Sequence, residues 1–362
     1  MRILYAIQGT GNGHVSRARD IIPILRQYGT VDVLLSGVQS DVELGFEVHY
    51  RFKGLSLIFG KKGGVDIVQT FRKGSINRLR KEIKTLPVEQ YQVVISDFEP
   101  VSAWACQRKG LPCIGLSHQA AVLHKLSPRA DKIDPVGKFV LRHYAPVTSG
   151  YGFHFQSYAP NIHTPVIRRQ VRELPVSDAG HYTVYLPAFS DKRIFKALSN
   201  FSHINWQVFS KNTDKDYEIG NVRFHKIANE AFMASMASAK GVFCAAGFET
   251  PAEALFLRKK LLVVPMRGQF EQHCNAAALA DMGIPVIRNL KKQSRMKIKE
   301  WLQSEALVCV DYPDRTEAVI RELMNKEAAS AAVFSLPPAK QAPAGVEDLR
   351  KHAFRKWKRK VK

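Results

Sequence analysis

Short apolar segments of strand length alternate with segments of helical periodicity along most of this chain, and this alternation limits its possible folds more than any other feature. The first half predicts strands at residues 3–7, 31–35, 93–96 and 113–116, and helices at 17–28 and 101–109. Strands that alternate with helices in this way form parallel sheets with helices on both faces.

The second half repeats this arrangement after a stretch with three prolines at residues 158–175, where we place the interdomain linker. It predicts strands at 182–186, 206–209, 222–224, 241–244, 261–264 and 308–310, and helices at 193–198, 230–238, 251–257 and 272–282. The predicted fold class is therefore α/β, with two Rossmann-like parallel-sheet domains that face each other across a cleft. We expect an N-terminal domain at 1–160, a C-terminal domain at 161–327, and a flexible Ala/Pro spacer with a basic tail at 328–362.

Composition excludes several classes of protein. The 362 residues are 45% hydrophobic, which suits two folded domains and excludes a mainly disordered chain. No apolar run approaches the ~18 residues that a membrane-spanning helix needs. The 5 cysteines form no CxxC pair, which fits a reducing compartment, so we expect a cytoplasmic protein.

The chain is strongly basic. Lys and Arg number 54 against 32 Asp and Glu, a net charge of +22, and such an excess favours polyanionic or phosphate-bearing partners. Residues 350–362 hold eight Lys or Arg and no acid, with Phe354 and Trp357 between them. This tail fits either an anchor on an anionic membrane surface, which would place the protein at the inner face of a membrane, or a solvated segment without a partner.

A glycine-rich turn follows the first strand and leads into the first helix. Gly11, Asn12 and Gly13 allow the backbone to approach a ligand closely, and the helix behind them offers free N–H groups to an anion. His14 comes next, at the carboxyl edge of the sheet, where an imidazole faces the cleft and is a candidate general base.

Two acids follow a later strand at the same edge. Asp97 is the candidate to orient and charge-stabilise His14, with Glu99 as the substitute. The alternative for Asp97 is a cap of the helix at 101–109. His118 and Gln119 end the next strand, and with Glu99 they are expected on the acceptor side of the cleft.

The second domain carries a longer motif. Gly247 follows a predicted strand, Thr250 stands at or beside the start of a helix, and Pro251 is expected as its first residue. Glu253 lies one turn further, where its carboxylate could bind both ribose hydroxyls. The spacing of Thr250 and Glu253 fits a capping box equally well.

These residues resemble the donor-binding signature of GT-B glycosyltransferases, most closely the MurG-type branch and its relatives among UDP-glycosyltransferases. The pattern of that signature is Gly-x-x-Thr/Ser-x-x-Glu, a proline-ended strand and Gln-x-x-Asn-Ala. The matching residues are Gly247, Thr250, Glu253, Pro265, Gln272, Asn275 and Ala276. The stretch from Gly11 to Val15 is similar to the glycine-rich loop of the same branch, so the resemblance spans most of residues 1–325.

The resemblance implies roles for individual residues. Glu253 would bind ribose, and Gly247 and Thr250 would lie at the diphosphate. Ser190 would contribute further phosphate-facing amides, and the backbone at Ile227 would read uracil. The residues implied at the donor sugar are Glu271, Gln272 and Asn275.

The predicted function is an inverting, metal-independent transfer of a sugar from a UDP-sugar to an acceptor hydroxyl, with an acceptor that is polyanionic, lipid-linked or a glycan. No metal and no cofactor are expected, since the UDP-sugar is a substrate, and no specific nucleic acid is expected as a partner. The alternatives are a non-hydrolysing UDP-sugar epimerase and a non-catalytic basic module that binds nucleic acid or membrane.

Overall fold

The computed structural model describes residues 1–10, 12–37, 43–55, 76–130 and 135–331. The first half forms a seven-stranded sheet in the order β3-β2-β1-β4-β5-β6-β7, and every pairing in it is parallel. Its strands are β1 (Arg2–Gln8), β2 (Thr30–Ser36), β3 (Tyr50–Phe52), β4 (Val93–Asp97), β5 (Ile114–Ser117), β6 (Ser149–Phe153) and β7 (Ile162–His163).

Helices cover this sheet. They are α1 (Asn12–Leu25), α2 (Ile76–Thr85), α3 (Pro100–Lys109), α4 (His118–Leu123) and α5 (Pro135–Tyr144), with a 3₁₀ turn at Val88–Gln90. In α1, Ala18, Ile21, Ile22 and Leu25 recur at helical spacing and are fully buried, which fixes this helix against the sheet. Gly110 ends α3 in the left-handed region at a φ of 66°.

The second half forms a six-stranded sheet in the order β10-β11-β9-β8-β12-β13, parallel except for the β10–β11 pair. Its strands are β8 (His181–Tyr185), β9 (Asn205–Ser210), β10 (Tyr217–Ile219), β11 (Val222–Lys226), β12 (Gly241–Ala245) and β13 (Lys260–Val264). Its helices are α6 (Arg169–Arg172), α7 (Asp191–Leu198), α8 (Asn229–Ser238), α9 (Glu249–Phe256), α10 (Phe270–Asp281) and α11 (Arg295–Gln303), with a 3₁₀ turn at Lys292–Ser294.

The last described helix returns to the first half. Helix α12 (Thr316–Ala331) contacts α1, and its buried Ile320 and Leu323 belong to the same core cluster as Ile21 of α1. Two chain segments therefore cross between the halves, one before β8 and one before α12.

The predicted α/β class with two parallel-sheet halves is confirmed, and two local predictions are wrong. No strand forms at 308–310, where Val308 and Val310 are partly buried against the core cluster that contains Ile21. Residues 328–331 belong to α12 and not to the spacer, while 332–362, including the basic tail, lie outside the described residues. The predicted linker at 158–175 contains β7 and α6. Within the described part of the chain, no helix is long and apolar enough to cross a membrane.

Candidate active site

His14 and Asp97 meet at the carboxyl edge of the first sheet. Strand β4 ends at Asp97, which pairs in register with Ile7 of β1, and the turn after β1 brings His14 into the first turn of α1. The Nδ1 of His14 lies 2.7 Å from Oδ1 of Asp97. The Asp97 side chain is fully buried, whereas His14 keeps 14% of its side chain exposed and lines the cleft.

The charge state of Asp97 follows from its neighbours. Burial alone would raise the pKa of Asp97, but the charge of Arg17 and the hydrogen bonds from Arg17 and His14 outweigh it and hold this pKa below its usual range. An ionised carboxylate only accepts hydrogen bonds, so the Nδ1 of His14 carries the proton. The Nε2 is then the basic nitrogen, which is the tautomer a general base needs.

Arg17 joins the two halves at this point. Its Nη2 donates to both oxygens of Asp97, at 2.7 and 2.8 Å, and its Nη1 donates to Oε1 of Glu249 at 2.6 Å. Arg17 is only 2% exposed. Burial would lower the pKa of Arg17, but Asp97 and Glu249 raise it further than burial lowers it, so the guanidinium stays charged.

The cleft between the halves has a volume of about 450 Å³. The first half lines it with Thr10, Gly13, His14, Ser16, Arg17, His118 and Gln119. The second half lines it with Tyr185, Phe209, Lys211, Ile227, Ala228, Asn229, Phe232, Gly247, Phe248, Glu249, Thr250, Glu253 and Glu271, and Arg168 lines it from the segment between the sheets. A cavity of this size suits a small-molecule substrate.

Helix α9 begins earlier than the sequence predicted. Its N-cap is Phe248, with no side-chain cap, and Glu249 is its first residue, so Pro251 is the third and not the first. Thr250 and Glu253 both lie inside the helix, which excludes the capping-box alternative. The free N–H groups of the first turn remain available to a ligand.

Glu253 lies at the bottom of the cleft and is paired. It is 3% exposed, and Arg168 donates to its two oxygens at 2.5 and 2.8 Å and to Oδ1 of Asn229 at 3.0 Å. Burial raises the pKa of Glu253 more than Arg168 lowers it. The carboxylate predicted to take ribose hydroxyls therefore contacts a guanidinium in this state.

An aromatic group closes the cleft beside Ile227. The ring of Phe232 lies 5.5 Å from that of Tyr185 and 5.2 Å from that of Phe209, measured between ring centroids. This arrangement offers a planar ligand ring an apolar wall. Ser190, predicted at the phosphates, is instead an exposed N-cap of α7 and is not among the residues that line the cleft.

Three predicted site residues, Glu99, Asn275 and Gln272, use their side chains for contacts within the protein. Glu99 is fully buried and caps α3, since its carboxylate accepts from the N–H groups of Val101 and Ser102, so its assignment to the acceptor side is corrected. The same geometry shows that Glu99, not Asp97, is the cap of this helix. Asn275 is fully buried, with its Oδ1 2.7 Å from Nε2 of His118, and is corrected from the donor sugar to a tie between the halves.

Gln272 also uses its side chain internally, because its Oε1 accepts from the N–H of Met266 at 2.9 Å. Gln119 and Glu271 do face the cleft, and Nε2 of Gln119 donates to Oε2 of Glu271 at 3.1 Å. His118 stacks on Phe248 at a centroid distance of 3.9 Å. Gly11 and the side chain of Asn12 lie outside the described residues. No group of three metal-ligating side chains occurs in the described ranges.

Sequence reasoning missed four charged residues that line the cleft: Lys211 and the ion-paired Arg17, Arg168 and Glu249. Arg17 carried a signal, since it lies three residues after His14 and therefore on the same helix face. Arg168 and Glu249 carried none, because each meets its partner only through the fold, at sequence separations of 85 and 232 residues.

Comparisons with known proteins agree with this geometry. Residues 1–305 match the family model described as glycosyl transferase family 1. The chain belongs to glycosyl transferase family 1. No match was found among curated proteins.

Solved structures share the fold of this family 1 chain. The glycosyltransferase of kitacinnamycin superposes with a TM-score of 0.52 at 15% identity, over 92% of this chain and 97% of its own. A glycosyltransferase of Streptomyces sp. SF2575 gives 0.52 at 15% identity, over 91% and 96%. The spinosyn rhamnosyltransferase in complex with thymidine diphosphate gives 0.51 at 15% identity, over 92% and 98%. The GT-B fold and the glycosyltransferase family that the motifs resemble are thus confirmed.

Proposed function

We propose that this family 1 glycosyltransferase moves a sugar from a UDP-sugar to an acceptor hydroxyl, with inversion at the anomeric carbon and without a metal ion. The observation that carries the proposal is the His14–Asp97 pair, with its atoms 2.7 Å apart, in the same cleft as the start of α9 and Glu253. An oriented base on one wall and an anion-binding helix end on the other are the two parts that such a transfer needs.

The chemistry is a single displacement. The Nε2 of His14 takes the proton of the acceptor hydroxyl while the acceptor oxygen forms a bond to the anomeric carbon of the donor. The bond from that carbon to the diphosphate oxygen breaks, and UDP leaves with its electron pair. Attack opposite to the leaving group inverts the anomeric centre. Asp97 stabilises the imidazolium that forms on His14.

The donor is assigned from the second wall of the cleft. Ile227 and the neighbouring aromatic rings suit the nucleobase. The carboxylate of Glu253 suits the ribose diol once Arg168 shares or releases it. Gly247 and Thr250 at the start of α9 suit the diphosphate. The spinosyn rhamnosyltransferase with thymidine diphosphate supports a nucleoside diphosphate as the donor class.

Metal independence rests on what surrounds the leaving group. The N–H groups at the start of α9 are assigned to the diphosphate, where they neutralise developing negative charge, and the charged guanidinium of Arg17 lies beside them, bound to Glu249. Glu271 and Gln119, from opposite halves, are assigned to the donor and acceptor sugars. A polyanionic or lipid-linked acceptor, and binding of 350–362 to an anionic membrane, remain predictions.

The test measures UDP release with a panel of UDP-sugars and acceptors. For His14→Ala we expect turnover to fall by ~10²–10⁴-fold, the usual contribution of a general base. The exposed His203 gives a matched control, since His203→Ala removes an imidazole that does not line the cleft. Near-normal turnover of His14→Ala would retire the base assignment. A new sugar nucleotide formed without acceptor would indicate an epimerase instead.

A further inference from the structure

The two arginines of the cleft are both committed to carboxylates. Arg17 divides its guanidinium between Asp97 and Glu249, and Arg168 is held by Glu253. Of the basic residues that line the cleft in the described part of the chain, only Lys211 is exposed. A diphosphate that enters therefore finds no buried guanidinium ready to bind it unless one carboxylate withdraws.

Glu249 lies where the proposed function needs an anion. It is the first residue of α9, and its Oε1 would lie 3.1 Å from a Cβ built on Gly13, so the carboxylate rests against the bare backbone of the glycine-rich turn. Glu249 thus contacts the Gly13 backbone and Arg17 and is itself the first residue of α9, and these are the three features that suit a diphosphate.

The exposures of the carboxylates indicate which one can move. The side chains of Asp97 and Glu253 are 0% and 3% exposed, whereas that of Glu249 is 25% exposed. Moving Glu249 into solvent leaves no buried charge behind it if another anion takes its place on Arg17. Arg17 also has capacity for one more acceptor, since its buried Nε has no hydrogen-bond partner among the described residues.

We propose that Glu249 is an internal competitor of the donor diphosphate, an inference that rests on the proposed function. Without donor, its carboxylate occupies the Nη1 of Arg17. When the diphosphate binds, Glu249 withdraws toward solvent and Nη1 turns to the diphosphate, while Nη2 stays on Asp97. Arg17 is then a positioning residue that links the leaving group to the carboxylate that orients His14.

The test compares the binding of UDP, inorganic diphosphate and uridine by titration calorimetry. Glu249→Gln keeps the side-chain shape but removes the competing charge, so UDP and inorganic diphosphate should bind about tenfold more tightly, while uridine binding stays unchanged. The control is Glu230→Gln, which removes the same charge from an exposed residue of α8 that does not line the cleft.

The outcomes separate this inference from the proposed function. If Glu249→Gln binds UDP as the wild type does, or more weakly, Glu249 does not compete and the inference fails. If uridine binding tightens as well, the effect is not directed at the phosphates and the inference also fails. If the wild type binds neither UDP nor uridine, the proposed function itself is wrong. A thermal melt of each variant shows that the fold is retained.

Discussion

Asp97→Asn replaces a carboxylate oxygen with an NH₂ group at a fully buried position that holds both His14 and Arg17. The Oδ2 position accepts from both Tyr5 and Arg17, so we expect the amide oxygen to take that position. The amide nitrogen then faces Nδ1 of His14, which has to accept, and the ring proton moves to Nε2. A ring protonated at Nε2 cannot take a proton from the acceptor. We therefore expect kcat to fall by about 10³-fold or more, the scale of losing the correct tautomer in a catalytic triad.

The same substitution has a cost in stability. Removing one partner of a buried ion pair costs about 3–5 kcal/mol because it leaves a buried charge uncompensated. Glu249 still neutralises Arg17 from the other side, at 2.6 Å, which places the expected loss near the lower end of that range. The free energy of unfolding is measured by urea denaturation, and kcat at a temperature where both proteins are folded.

A matched variant separates catalysis from stability. Glu99→Gln alters a carboxylate that is equally buried and two residues away, but one that caps α3 and does not touch His14. We expect it to lose about 1 kcal/mol of stability, as caps do, and to keep kcat within about threefold of the wild type. If Asp97→Asn kept kcat within the same threefold range, Asp97 would not orient His14, and the mechanism would need another orienting group.

Three further predictions follow from the same geometry. The pKa of Asp97 is lowered in the folded state, so the stability that Asp97 confers is fully present above about pH 4 and is lost below it. The difference in the free energy of unfolding between wild type and Asp97→Asn should therefore be the same at pH 5 and pH 8 and should shrink in acid. Glu253→Gln should reduce the preference for UDP over 2′-deoxy-UDP to about twofold or less in titration calorimetry, since a charged ribose acceptor is lost, and an unchanged preference would contradict the ribose role. Excess EDTA should change the initial rate of UDP release by less than about twofold, and restoration of a lost rate by Mg²⁺ would show a metal-dependent reaction.

The sequence predicted the parts of the site that depend on local order. Strand ends and turns can be predicted from short sequence patterns, and the carboxyl ends of parallel strands share one edge of a sheet. The proximity of His14 and Asp97 could therefore be predicted. The cleft residues Gly247 and Glu253 followed from one motif. To predict the place of each of these residues, it is enough to know the helix or strand that carries it and the direction of that element in the sheet.

What could not be predicted depends on how side chains meet between the halves. Asn275 matched a motif position, yet it is buried against His118 of the other half. Asp97 and Glu99 are two polar candidates separated by Phe98, where the backbone turns at a φ of 56°. This turn places Glu99 as the cap of α3 and leaves Asp97 facing His14. Burial and partner choice at such positions are properties of the assembled fold.

The return of α12 onto α1 limits how the two halves can be exchanged. The helix that carries His14 is covered in part by a segment encoded after the entire second half. A fragment that stops before Thr316 leaves that apolar surface bare. Replacing the second half by that of a relative therefore requires two junctions, one on each side of the inserted piece, and the native C-terminal helix has to be kept with the recipient.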